Sequence, residues 1–432
     1  MSEQVVEQMR ADWNARATED ANYYVAFGRR DQDEEGFDAT GDEIVHGLKW
    51  EMRRLPEGNQ RVRRALEIGC GPGRLLKPMS TLFGEIHGVD ISDQMVERAR
   101  TRLRDIPHAH VHVALRSNLE MFADESFDFV YSYAVFQHIP SREVVLGYLA
   151  EARRVLRVGG LMRCQINGLP ETAARYNTWS GVRISQAELE GFCRTHDFQM
   201  LALEGVSTQY MWVTLRKREP GWYERAVKPE EFITIRRITN AETSEPLAPA
   251  RGRYAALALW VNNLPTECDL LNFEVNVGGA RGRLTYIGPR ERDGLTQVNL
   301  RLPWDVGTGL QLVQLGWCGE PIGLPKKVRI VPPPAMVPRL IALSDGVNLV
   351  AGNRVETRSV KLTLEEVTQP ELFTATISGA PVEDLEYFCT DPLPPRFEVN
   401  FRIPHEVARG SHLLDMRLGR RRLGTVSLDV VS

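Results

Sequence analysis

The run Ala65-Leu-Glu-Ile-Gly-Cys-Gly-Pro-Gly73, followed by Gly88-Val-Asp-Ile-Ser92, constrains this chain more than any other feature. Residues 65–68 are apolar or β-prone enough for a buried parallel strand. Glycines at 69, 71 and 73 then let the backbone turn sharply with nothing projecting toward a ligand. Asp90 ends a second apolar strand, where a carboxylate can accept both hydroxyl hydrogens of a ribose, because open α/β sheets bind ligands beyond their strand ends. Together they predict a strand, turn and helix that bind a nucleoside, which makes the chain an enzyme candidate.

The dinucleotide fingerprint G-x-G-x-x-G packs its third glycine beneath a pyrophosphate. Here the pattern is E-x-G-x-G-x-G, with Glu67 inside the strand end. A carboxylate so close to the turn repels a pyrophosphate and suits a cationic sulfonium or the ammonium of a methionine moiety. On these residues the chain resembles the class I S-adenosylmethionine-dependent methyltransferases, type 11-like, over about residues 1–218. Ser126-Phe-Asp-Phe-Val-Tyr-Ser-Tyr-Ala-Val-Phe-Gln-His-Ile-Pro140 looks like that family's fourth strand and following loop, and Val155-Leu-Arg-Val-Gly-Gly160 like the turn before its fifth strand. The resemblance implies S-adenosyl-L-methionine as cofactor. It places Gly69, Cys70, Gly71 and Gly73 along the methionine portion, Asp90 at the ribose, and Ile91 and Met95 against adenine. Asn118 and Leu119 fall at the adenine edge, where an Asn oxygen can still accept from the adenine amino group. Ser132 and Tyr133 stand near the methionine side.

Residues 1–62 read as polar and helical, with aromatic residues at Trp13, Tyr23, Tyr24 and Phe27. In this fold a leading helix often closes over the cofactor, so Trp13, Tyr23 and Tyr24 are expected either to form a lid over the acceptor pocket or to pack the helix onto its domain. Ser185 with Glu188 predicts a capped late helix. Pro78, at about the sixth helical position after the glycine turn, predicts a short or kinked helix. Strands at about 199–204 and 210–216 would complete the sheet. Methyl transfer is an in-line displacement, so alignment and water exclusion matter most. If the acceptor is a hydroxyl or protonated amine, His138 is the best-placed base; a carboxylate or thiolate needs none. The structural alternative for His138 is a hydrogen bond to a backbone carbonyl. Gln137 is expected to contact the acceptor.

A net charge of -4 and a pI near 6.2 give no global attraction to nucleic acid or anionic membrane. No Asn-Pro-Pro-Tyr type motif for an extruded base is present. The N-terminus has no long apolar core, so no signal peptide or membrane span is expected. Six cysteines without a C-x-x-C pair make neither a disulfide framework nor a zinc site, and point to a reducing cytoplasm. His108, His110 and His112 alternate and would share one strand face, read as a solvated edge; no metal is expected.

Near Lys217-Arg-Glu-Pro-Gly221 helical periodicity gives way to short β-prone runs between Gly, Pro, Asn and Asp. Val298-Asn-Leu-Arg-Leu-Pro-Trp-Asp-Val-Gly-Thr-Gly309 recurs as Val399-Asn-Phe-Arg-Ile-Pro-His-Glu-Val-Ala-Arg-Gly410, and Phe232-Ile-Thr-Ile likewise corresponds to Pro338-Arg-Leu-Ile. A repeat of about 100 residues has the size of one immunoglobulin-like domain, and the two modules resemble bacterial immunoglobulin-like repeats. The expected fold is an α/β Rossmann-like seven-stranded methyltransferase domain followed by two all-β immunoglobulin-like sandwich domains. The boundaries are 1–218 with an N-terminal helical lid, a linker 219–229, a first sandwich 230–331, a Pro-rich hinge 332–337 and a second sandwich 338–432. The sandwiches read as a spacer or dimerisation arm, or as a site for an acceptor or protein partner through Trp260, Trp304 and Trp317. The favoured function is methylation of an O or N nucleophile on a small molecule, lipid or sugar, without nucleic acid. The alternative is an inactive methyltransferase-like scaffold or interaction protein.

Overall fold

A computed structural model describes residues 2–26, 33–115, 118–171, 175–225, 232–347, 351–392 and 395–431. The chain divides into two compact units: Met1–Ala21 with Glu34–Pro333, and Asn22–Asp33 with Pro334–Ser432.

The first unit opens with helices α1 (Ser2–Val25, whose last residues belong to the second unit), α2 (Glu34–Ala39) and α3 (Asp42–Met52). An alternating segment follows: β1 (Arg64–Ile68), α4 (Leu76–Met79), β2 (Glu85–Asp90), α5 (Asp93–Leu103), β3 (Ala109–Val113), β4 (Phe127–Ser132), α6 (Arg142–Val155), β5 (Leu156–Ile166), α7 (Gln186–Thr195), β6 (Phe198–Glu204) and β7 (Met211–Lys217). The strands lie in the order β3-β2-β1-β4-β5-β7-β6. β1, β2, β3, β4 and β5 run parallel, whereas β7 is antiparallel to both β5 and β6. Residues 65–68 are all buried, as a strand covered on both faces requires. Ser92 and Ser141 cap α5 and α6, and Ser185 with Glu188 forms the expected capping box on α7. Pro78 has the expected effect: α4 is a single turn continued only by a 3₁₀ turn at Ser80–Leu82.

The first β module consists of β8 (Thr234–Asn240), β9 (Leu247–Pro249), β10 (Ala256–Asn262), β11 (Phe273–Val277), β12 (Ala280–Arg281), β13 (Arg283–Arg290), β14 (Leu295–Arg301), β15 (Gly309–Trp317) and β16 (Glu320–Val331). One sheet runs β13-β14-β10-β8 and the other β12-β11-β15-β16-β9. The first of these is continuous with the seven-stranded sheet, because Tyr286 of β13 pairs antiparallel with Ala202 of β6. Asp269, fully buried, fastens the join: it accepts from the Met200 amide of β6 (3.2 Å) and from the Tyr223 hydroxyl (2.5 Å). Trp50 of α3 donates to the Tyr286 hydroxyl (2.8 Å), and Arg54, paired with Glu51 at 2.7 Å, donates to Ile287 O. One hydrophobic core accordingly runs from Leu66 and Val130 to Phe273 and Val298.

The second unit repeats this plan in β17 (Arg339–Asp345), β18 (Arg354–Val355), β19 (Ser359–Glu365), β20 (Phe373–Ile377), β21 (Ala380–Pro381), β22 (Glu383–Pro392), β23 (Pro395–Arg402), β24 (Gly410–Leu418) and β25 (Arg421–Val430). Its sheets, β17-β19-β23-β22 and β18-β25-β24-β20-β21, reproduce the two strand orders of the first module. Even the parallel β9–β16 pair has its counterpart in β18–β25. Both sheets contribute to one core, with Leu362 and Phe401 against Ile377 and Leu414.

Candidate functional site

The glycine turn leaves β1 with Gly69, Gly71 and Gly73 all at positive φ (72°, 51° and 85°), a region that costs any other residue here. At Gly69 the constraint is also steric, since an added Cβ would lie 2.3 Å from a Val135 methyl. Across the turn, Asp90 accepts the Gly71 amide on Oδ2 (2.8 Å) and the Ser92 amide on Oδ1 (2.9 Å). These bonds hold its carboxyl down while burial, the larger effect, pushes it above the usual carboxylate range. Each oxygen keeps a lone pair for a ribose hydroxyl, which is the chemistry a nucleoside at this turn needs.

Glu67 is 3 % exposed and accepts from the Tyr131 hydroxyl (3.1 Å). Burial pushes its carboxyl well above its ordinary range, against the opposing pull of Tyr131 and Arg74. A cation beside it would oppose that shift, so the residues present fit a sulfonium nucleoside. Cys70 is buried beside Gly88, and its thiol is pushed up by burial. Ile91 is half-buried and Met95 buried at the start of α5. Asn118 donates to Glu120 (3.0 Å), whereas Leu119 lies in the core with its amide on Glu151 (2.9 Å). Ser132 donates to Ile68 O (2.9 Å), and Tyr133 stacks on Trp212 at 5.6 Å.

The first half of α1 lies over the ends of these strands. Arg10 donates to the carbonyls of Ile91, Ala114 and Leu115, the last at 2.8 Å. Asn14 Oδ1 accepts from the Ser92 hydroxyl (2.6 Å) and the Gln94 amide (3.3 Å). Trp13 meets the His138 ring edge-on at 5.4 Å, and the Arg16 guanidinium lies 4.7 Å over the Trp13 ring and donates to Thr178. Tyr23 and Tyr24, expected beside Trp13, are grouped with the second unit, where the Tyr23 hydroxyl donates to Val347 O (2.8 Å). Phe27 lies outside the described residues.

His138 sits in the loop after β4, 6 % exposed. A carbonyl only accepts, so Nδ1 carries the proton and donates to Trp179 O (3.2 Å), leaving Nε2 to accept from the Gln137 amide (3.3 Å). Burial, with Arg16 nearby, lowers the imidazole to about 4. The ring is therefore neutral at physiological pH, a weak base, and engaged at both nitrogens. Gln137 Oε1 is buried with no hydrogen-bond partner among the described residues.

Sequence reasoning missed Arg10, Asn14, Arg16 and Trp179, because each acts on a residue between 41 and 162 positions away. The histidine run also differs from expectation. His108 precedes β3 and contacts Ser80 O, whereas His112 meets His87 of β2 (3.1 Å). Glu85, His87 and His110 bring three ligand atoms within 4.8 Å of one another. The Arg64 guanidinium already takes a cation's place there, at 2.9 Å from Glu85 and 3.2 Å from His87 Nε2.

Residues 66–164 match the family described as Methyltransferase domain. This segment is similar to a methyltransferase domain. An uncharacterized 37.1 kDa protein in transposon TN4556 of Streptomyces fradiae is 34 % identical over 129 residues, covering 29 % of this chain and 33 % of that protein. Phosphoethanolamine N-methyltransferase 2 of Caenorhabditis elegans is 27 % identical over 161 residues, 35 % of this chain and 36 % of the relative. A ubiquinone biosynthesis O-methyltransferase of Cereibacter sphaeroides is 32 % identical over 112 residues, 26 % of this chain and 44 % of the relative. The chain thus spans between a third and less than half of the length of these curated relatives.

Proposed function

We propose that this chain transfers a methyl group from S-adenosylmethionine to an oxygen or nitrogen nucleophile of a small molecule, lipid or sugar. The carrying observation is the glycine turn closed by Asp90, three left-handed glycines with a carboxylate oriented by the Gly71 and Ser92 amides. Relatives named as an O- and an N-methyltransferase support the choice of nucleophile. S-adenosylmethionine supplies an electrophilic methyl carbon on a positive sulfur. In the proposed roles Asp90 orients the ribose, Glu67 faces positive charge, Trp13 excludes water, and the unpartnered Gln137 Oε1 accepts from the acceptor's O–H or N–H. His138 is proposed to hold the Trp179 loop, with alignment rather than strong base catalysis driving the transfer.

No helix among the described residues is long and apolar enough to cross a membrane. Six free cysteines, four of them buried, support a reducing cytoplasmic setting. The two β modules are proposed to be immunoglobulin-like sandwiches that serve dimerisation or partner and acceptor binding; their shared strand order supports this. Calorimetric titration of the purified chain with S-adenosylmethionine, S-adenosylhomocysteine and NAD tests the proposal. Saturable binding of both sulfur nucleosides without NAD is expected, and a folded sample that binds neither would sink it.

A further inference from the structure

A cleft between α7 and the first β module holds an arginine that forms no ion pair among the described residues. Its volume is about 370 Å³, with Gln186, Glu190 and Arg194 on one wall and Arg281 and Arg283 on the other. Arg194 donates to Leu271 O (3.1 Å), Arg281 pairs with Glu274 (3.0 Å), and Glu190 accepts from Gln186 (2.6 Å). Arg283 has no hydrogen bond or ion pair among the described residues, and burial alone pushes its guanidinium down. An unpaired, partly buried cation costs free energy. Its position raises the cost, since Arg283 is the direct cross-strand partner of Arg301, and like charges opposite one another destabilise a strand pair.

The second module solves the same position differently. Arg402 matches Arg301 in the repeat; its cross-strand partner is Glu383, and the adjoining Asp384 forms an ion pair with it. The first module thus carries an arginine where its own repeat carries acids. A smaller neighbouring cavity, about 210 Å³, shares Arg194 and Leu271 and is lined by Trp317, whose indole N–H is buried with no acceptor among the described residues. The unmatched groups on both cavities are donors, so the complementary ligand is an acceptor.

We propose that this cleft binds an anionic ligand through a phosphate or carboxylate group, held by Arg283 with Arg281 and Arg194. The site is separate from the glycine turn and independent of the methyl-transfer reading. Calorimetry of the full chain with inorganic pyrophosphate, and separately with citrate, at low ionic strength tests it. Saturable binding of at least one probe is expected, weakened tenfold or more in Arg283→Gln; the tighter probe tells phosphate from carboxylate ligands. Arg283→Glu, which gives the first module the acid of the second, is expected to abolish binding and to raise Tm by pairing with Arg301. Both variants should bind S-adenosylmethionine as the parent does. Absence of binding by either probe, unchanged binding in Arg283→Gln, or a lowered Tm in Arg283→Glu overturns the proposal.

Discussion

Each oxygen of Asp90 accepts one backbone N–H, which fixes the plane of the carboxylate and aims its remaining lone pairs away from the turn. Asp90→Ala removes two charge-assisted acceptors, each contributing about 1.5–3 kcal/mol. S-adenosylmethionine affinity should fall at least tenfold by calorimetry while the fold, followed by circular dichroism, is retained. Glu67 gives a pH signature. Its folded carboxyl titrates well above the ordinary value near 4.3. Above that ordinary value the unfolded chain releases this proton before the folded chain does, so the group lowers stability as pH rises up to its folded pKa. A cationic ligand favours the carboxylate, and its affinity should therefore rise with pH over the same window. S-adenosylmethionine should show a steeper rise than S-adenosylhomocysteine as pH increases above that ordinary value, and Glu67→Gln should remove the difference; equal slopes throughout would reject the role. For His138, Asn is the informative replacement, because its amide can still donate to Trp179 O. Retained turnover in His138→Asn is expected, and loss of several orders of magnitude would reinstate His138 as the base. The glycines, Glu67 and Asp90 were legible in sequence because each is fixed by local backbone geometry. The tautomer and depressed basicity of His138 were not, because the first is set by Trp179 and Gln137 and the second by burial, with Arg16 adding to it.

At the scale of elements, α1 is polar and carries no strong amphipathic stripe, so packing alone does not hold it. Its first half is held instead by directed bonds, three carbonyls on Arg10 and two donors on Asn14. Arg10→Ala leaves the Ile91, Ala114 and Leu115 carbonyls without this donor. Hydrogen exchange in residues 2–19 should speed up, and cofactor affinity should drop several-fold with little change in global Tm. Unchanged exchange would show that α1 is not gated by these bonds. The sequence indicated a leading helix and its Trp13, but a helix so polar gives no periodic signal of which face it presents. The strand elements behaved differently. The strands expected at about 199–204 and 210–216 from the resemblance match β6 and β7 to within two residues, and Pro78 marked the brevity of α4, a property of the local chain.

At the scale of the whole molecule, the duplication was readable because residues 298–309 and 399–410, which run on from the ends of β14 and β23, are identical at six of twelve positions, and the modules fold with identical strand orders. The junction between the methyltransferase domain and the first module was not readable. It rests on one strand pairing, on Asp269 and on side chains from α3, none of which leaves a pattern along the chain. That junction predicts that residues 1–218 do not form an independent folding unit. Without the first module, the β6 edge is unpaired, the Met200 amide loses its acceptor, and the Glu51–Arg54 pair loses the Ile287 carbonyl. A bare hydrophobic sheet edge is an aggregation site. Fragment 1–218 should therefore be insoluble or molten, with lost near-UV dichroism, while the intact chain is not. Asp269→Ala tests the same junction without deletion. It leaves the Met200, Leu271 and Asn272 amides without their Asp269 acceptor, each unmet group costing about 1–3 kcal/mol, while the Tyr223 hydroxyl keeps only the Phe198 carbonyl. A loss of roughly 3 kcal/mol or more is expected in urea titration. Full stability in that variant, or a well-folded 1–218 fragment that binds S-adenosylmethionine normally, would show that the continuous sheet is dispensable to the methyltransferase domain.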